Sequence, residues 1–130
     1  SFFSKYKRID DLVLYACTSD YPVDFDNTCL LEIYKLTKNY KNKISDVGFS
    51  GHHLGISIDN AAYTLGAKYI ERHFTLDRTW KGTDHAASLE PSGLEKLVRD
   101  LNNCFRSMKF KNKNGILSSE IFQRSKLKKI

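Results

Sequence analysis

The feature that most constrains this chain is an alternation. Residues 12–17, LVLYAC, form an unbroken apolar run, as a strand buried on both faces requires. After Pro22 and the polar DFDN comes TCLLEIYKLTKNY. It sets Leu30, Ile33, Tyr34 and Leu36 at helical spacing, with Asp26, Asn27 or Thr28 available as N-cap. The pattern then repeats. ISDVGF (44–49) predicts a second strand, and SIDNAAYTLGA predicts a helix closed by Gly66. KYIERHFTL (68–76), rich in β-branched and aromatic residues, predicts a third strand. A polar loop, DRTWKGTDHAASLEP, leads into SGLEKLVRDLNNCFRSM. Here Ser92 is the expected N-cap with Glu95 three residues on, and Leu94, Leu97, Val98, Leu101, Cys104 and Phe105 keep one face.

Strand–helix alternation of this kind calls for parallel strands joined by crossovers. A complete (β/α)8 barrel takes roughly 250 residues. The expected fold class is therefore α/β, a partial TIM barrel of about three parallel β/α units, with open sheet edges. Residues 1–108 form that part, and 109–130 read as a basic linker or tail. The chain starts with Ser rather than Met, so a fragment is expected.

Net charge is +6. The tail holds Lys109, Lys111, Lys113, Arg124, Lys126, Lys128 and Lys129 against one acid, Glu120. No nucleic-acid motif or aromatic-interleaved basic stripe accompanies that charge, so a solvated tail is the commoner reading and nucleic acid is disfavoured. No apolar run approaches the ~20 residues that span a bilayer. Cys17, Cys29 and Cys104 are too few and too irregularly spaced for a disulfide framework or a C-x-x-C site, which points to a reducing, cytoplasmic setting.

In parallel α/β folds chemistry collects beyond the strands' C-terminal ends. The unusual polar residues fall there: 18–21 after the first strand, Ser50 to His53 after the second, His73 and the 77–90 loop around the third. His52 and His73 end consecutive units, and two imidazoles converging from neighbouring strands suit a divalent first-row metal. Spacing alone leaves the plainer alternative ahead, two unrelated loop histidines in ordinary hydrogen bonds. For His53 and His85 the plainer reading is stronger still. Glu71 shares a strand face with His73 and fits a general base, a hydroxyl acceptor or a simple ion pair. Asp84 lies in a loop too polar to be mere connection, although a loop-capping Asp explains it equally. Ser19 and Ser50 are small hydroxyls suited to phosphate or carboxylate oxygens. Trp80 fits a lid contact or a packing anchor.

CTSDYP (17–22), GFSGHHLGI (48–56) and AAYTLGAKYIERHFTLDRTWKGTDHAASLEP (61–91) resemble the last three barrel units of sialic acid (N-acetylneuraminate) synthases. The match runs from about residue 12 to 108. The S-G-H at 50–52 and TWKG at 79–82 look closer to animal-type enzymes than to most bacterial ones. The resemblance implies condensation of phosphoenolpyruvate with N-acetylmannosamine, or its 6-phosphate, to a nine-carbon sugar acid and phosphate. It implies that His52 and His73 hold Mn2+ or Mg2+. It also implies that Ser19 and Ser50 face phosphoenolpyruvate and that Tyr21, Glu71 and Asp84 line the sugar site, with Glu71 and Asp84 as the catalytic candidates. A homodimer and a following antifreeze-like domain are further implications. Two departures stand out: Phe25 to Leu30 replaces the family's usual acidic segment after the Y-P loop, and His53 replaces a Thr or Glu. The family's earlier strands carry its phosphoenolpyruvate-binding lysines. The cations the motif loops here offer are Arg72, Arg78 and Lys81, so this part is expected to be inactive alone. The competing expectation is a non-catalytic partial barrel acting as a binding or assembly module.

Overall fold

The computed structural model describes residues 11–111 and 115–127; Lys113, Lys128 and Lys129 of the basic tail lie outside them. Three parallel strands, β1 (Val13–Cys17), β2 (Asp46–Gly51) and β3 (Tyr69–Arg72), form one sheet in the order β1-β2-β3. Helices α1 (Glu32–Tyr40) and α2 (Ser57–Thr64) connect them, α3 (Pro91–Ser107) follows β3, and α4 (Ser118–Leu127) lies in the tail. The order is that of three consecutive units of a barrel left open, as the alternation predicts.

One face of the sheet carries the core. Ala16, Val47 and Phe49 pack with Ile33 of α1 and Ala62 and Ala67 around α2, all buried, and Leu30, Leu36, Ile44, Ile58 and Ile70 flank them. The opposite face follows from the period of two along a strand. Register pairs Tyr15 with Gly48 and Gly48 with Tyr69, an aromatic row; the next row is Cys17, Ser50 and Glu71. The Tyr15 ring lies over Gly48 so closely that an added Cβ there would sit 2.6 Å from it. Tyr15 and Tyr69 are 40% and 46% exposed, so among the described residues nothing closes this face.

Several local expectations give way to neighbours. Helix α3 begins at Pro91, which occupies the first helical position, so Ser92 lies inside the helix and Glu90 stands at the cap. The expected Ser92–Glu95 capping box does not form; the Glu90 carboxylate instead accepts the Arg78 amide at 3.1 Å. Nor do Asp26, Asn27 or Thr28 cap α1. They belong to a short 3-10 turn, Thr28 donates to the Asp24 carbonyl, and the helix starts after Leu31. Of the apolar stripe on α3 only Leu97 is buried, while Leu94, Val98 and Phe105 stay exposed. The third strand stops at Arg72 rather than 76, because the backbone turns to bridge Leu89: Leu89 N–H donates to His73 O and Thr75 N–H to Leu89 O, each at 2.9 Å.

Gly66 does close its helix, at φ +112. A side chain there would sit in a left-handed region that L-residues avoid, so Gly66→Ala is expected to cost about 1–2 kcal/mol in denaturant unfolding.

Candidate functional site

The ends of all three strands converge on His52 and His73. Their rings lie 5.2 Å apart, edge to face. His52 Nδ1 is 2.9 Å from the Thr18 carbonyl oxygen beyond β1. A carbonyl can only accept, so Nδ1 carries the proton and Nε2 of the neutral ring presents a lone pair. Nε2 is 3.4 Å from Ser50 Oγ, but the Ser50 hydroxyl spends its hydrogen on Glu71 Oε1 at 2.7 Å. The Nε2 lone pair thus faces no proton donor from either group. The backbone is pinned as well, for the His52 carbonyl accepts the Val23 amide at 3.0 Å.

His73 is held from two sides. Tyr21 stacks on its ring with centroids 4.3 Å apart, and Asp84 Oδ2 lies 3.4 Å from its Nδ1. Ser88 donates to the Asp84 carbonyl at 2.8 Å, so the Tyr21 hydroxyl, 3.2 Å away, must donate to Ser88. Tyr21 is therefore a strut between the first and third loops.

The loop after β3 is internally organised. Thr75 donates to the Asp77 carbonyl and accepts from His85 Nδ1 at 2.8 Å; Trp80 packs edge-on against the His85 ring. The hydroxyl of Thr79, and then its amide, donate to the Asp77 carboxylate and hold its pKa below the usual value. Beside this loop a cleft of about 490 Å3 is lined by His73, Phe74, Gly82, Thr83, Asp84, His85 and Ser88.

Ser50, His52, Glu71, His73, Asp84 and Tyr21 are thus brought together. Ser19 is not tied to them: its hydroxyl lies 4.0 Å from Cys17 Sγ at the exposed edge of β1. Glu71 is exposed on the open face. Arg72, expected among the phosphate-facing cations, points the other way. It alternates with Glu71 and enters the helix side, where its Nη1 pairs with Asp59 Oδ2 at 2.5 Å. Asp59 and this pairing are what sequence reasoning missed, although an Asp on the apolar side of a short helix opposite a strand Arg was the available signal. Arg78 donates to the Ala86 carbonyl and so braces its own loop.

Two imidazoles, one with its distal nitrogen fixed by a carbonyl and its Nε2 exposed to the site, suit a divalent ion. No group of three or more His, Cys, Asp or Glu side chains converges with metal-site geometry among the described residues. An ion held here would keep most of its positions open to water or substrate.

A family model described as the NeuB family matches residues 2–113. The chain belongs to the NeuB family. Relatives in this family include the N-acetylneuraminate-9-phosphate synthases of Mus musculus and Homo sapiens, each 47% identical over 92 residues that make up 71% of this chain and 25% of the relative. An N,N'-diacetyllegionaminic acid synthase from Campylobacter jejuni is 41% identical over 75% of this chain and 28% of its own length. A crystal structure of N-acetylneuraminic acid synthetase from Leptospira borgpetersenii in complex with citrate superposes with a TM-score of 0.75 at 32% identity, covering 98% of this chain and 44% of that one. The chain therefore spans about a quarter of the length of the curated NeuB relatives it matches. The sialic acid synthase resemblance and the open three-unit α/β fold stand.

Proposed function

We propose that this chain supplies the metal- and sugar-facing edge of a sialic acid synthase-type site, condensing phosphoenolpyruvate with N-acetylmannosamine or its 6-phosphate. The observation that carries this is the His52 ring, 5.2 Å from the ring of His73, with Nδ1 held by the Thr18 carbonyl and Nε2 receiving no proton from Ser50. Names of relatives add substrate chemistry. Joining three carbons of phosphoenolpyruvate to C1 of a six-carbon sugar makes its C6 the C9 of the product. A 9-phosphate product, as in the animal relatives' name, thus requires the 6-phosphate sugar.

His52 and His73 would hold Mn2+ or Mg2+, which when bound polarises the aldehyde oxygen of the open-chain sugar. The chain's own residues do the rest of the work on this edge. Ser50, whose hydrogen is given to Glu71, orients that carboxylate toward the site. Glu71 can take a sugar hydroxyl proton or hold it. Asp84 braces His73 through Oδ2 and accepts from Thr83 through Oδ1, and both Asp84 and Thr83 line the cleft. Arg72 and Arg78 are engaged elsewhere, so phosphate charge must be met by Lys81, which is exposed, and by groups outside these residues. Catalysis is proposed only with the remaining barrel units present. That machinery would work in the cytoplasm, in a homodimer, with the tail leading to a further domain.

Titration with Mn2+ tests the site. One cation is expected to bind per chain, with binding lost in His52→Ala and in His73→Ala. A chain indifferent to Mn2+ would sink this reading. The exposed Tyr15 and Tyr69 on either side of Gly48 favour a second one, a non-catalytic assembly module, which predicts self-association in size exclusion and no metal binding.

A further inference from the structure

Immediately behind the two histidines lies a charged cluster that the proposed chemistry does not use. His53 and Asp59 are fully buried, and the Arg72 side chain is 4% exposed. Arg72 is flanked in sequence by Glu71 and His73; His53 follows His52. Arg72 Nη1 meets Asp59 Oδ2 at 2.5 Å, the Gly55 carbonyl at 2.8 Å and His53 Nε2 at 3.1 Å, while Nη2 donates to the His53 carbonyl at 2.7 Å. One guanidinium thus ties the strand bearing Glu71 to two carbonyls of the loop bearing His52.

Ion pairing alone is a poor reason for such a cluster, since apolar residues of similar volume stabilise a core as well or better. Nor is this pair optimised as one: His53 Nδ1 and Asp59 Oδ1 are buried with no hydrogen-bond partner among the described residues. What the planar fork offers and an apolar contact does not is direction. It fixes carbonyls at 53 and 55 on one side of His52, while Val23 and Thr18 fix its backbone and ring on the other.

We propose that Arg72, anchored by Asp59, is a positioning residue that sets the His52 imidazole opposite His73. Its importance for a bound cation rests on the function proposed above; its control of the His52 ring does not.

The test uses the full chain with two variants. Arg72→Lys keeps a cation opposite Asp59 but gives up the fork. The Arg72→Met/Asp59→Leu double variant removes both charges and keeps apolar volume. Two quantities are read: Mn2+ affinity, by electron paramagnetic resonance of the free ion, and the His52 tautomer in metal-free protein, by long-range 1H–15N correlation. Both variants are expected to stay folded by circular dichroism. Each should lose affinity about 10-fold or more, in the range of losses when a ligand's supporting group is removed, and lose the single Nδ1-protonated signature of His52. Folded variants with affinity within about twofold of wild type and an unchanged His52 spectrum would overturn the proposal. So would unfolding of both, which would make the cluster a structural requirement only. If wild type binds no Mn2+, the site reading fails. The His52 spectrum then decides positioning by itself: a change on losing the fork sustains it and no change overturns it.

Discussion

Phe49→Ala is expected to remove about 3–5 kcal/mol of unfolding free energy, the range seen when a large buried aromatic is truncated. Phe49 is 2% exposed and sits on the middle strand, within the core cluster that includes Ala16, Ile33 and Ala62. Its ring also stacks beside His53, with centroids 6.0 Å apart. Phe49 shares its cluster with Ile33, Val47 and Ala62, and truncation leaves a cavity that such neighbours fill only in part. Small domains are held by about 5–15 kcal/mol in all, and a sheet whose second face is open has little in reserve. Urea unfolding followed by circular dichroism should therefore give a midpoint shifted far down, or no cooperative transition at all. A loss below about 1 kcal/mol would mean that the strand–helix core is not what holds the chain together. A smaller substitution, Phe49→Leu, should recover most of the loss.

The architecture is legible in the sequence because apolar burial dominates its stability. LVLYAC and the residues around Val47 and Phe49 must leave water on the helix side, and Ile33, Ala62 and Ala67 supply that side. Boundaries are not legible, for they depend on single residues: Leu89 ends β3 early, and Pro91 opens α3 one residue before Ser92 and leaves Glu90 at the cap. The site is legible where it rests on strand ends and alternation. His52, His73, Glu71 and Ser50 are where period two and consecutive parallel units put them. Tyr21 stacks on His73 as a strut whose hydroxyl is spent on Ser88, a contact that the spacing of the two residues does not foretell. Arg72 is not the site cation its motif loop suggests, since the same alternation that turns Glu71 to the open face must turn Arg72 to the helices. In the tail, Glu120 is no bystander to the lysines. Lys111 and then the Leu117 amide donate to it and hold its pKa below the usual value, so the lone acid pins the start of α4.

The second large effect expected is on Arg72, read as stability rather than metal binding. Arg72→Met alone should cost about 3–5 kcal/mol, since it strands the Asp59 carboxylate where water cannot reach it. Asp59→Leu alone should cost less than that if the guanidinium keeps its carbonyl acceptors at His53 and Gly55, which remain in place. Combining the two should bring stability back to within about 1 kcal/mol of the original, because most of the single-variant loss is the unpaired charge and not the pair's net worth. The residues are in direct contact, so the double-mutant cycle is expected to be strongly non-additive, and that coupling is its informative quantity. Additive losses would mean that Asp59 and Arg72 are each solvated in the folded chain and that the cluster is not a closed one. Strong coupling with full recovery of stability would separate two roles that the wild-type chain joins. The fold would then need only that no charge be stranded, and the directional fork from β3 to the His52 loop would be left as the one thing the apolar replacement cannot restore.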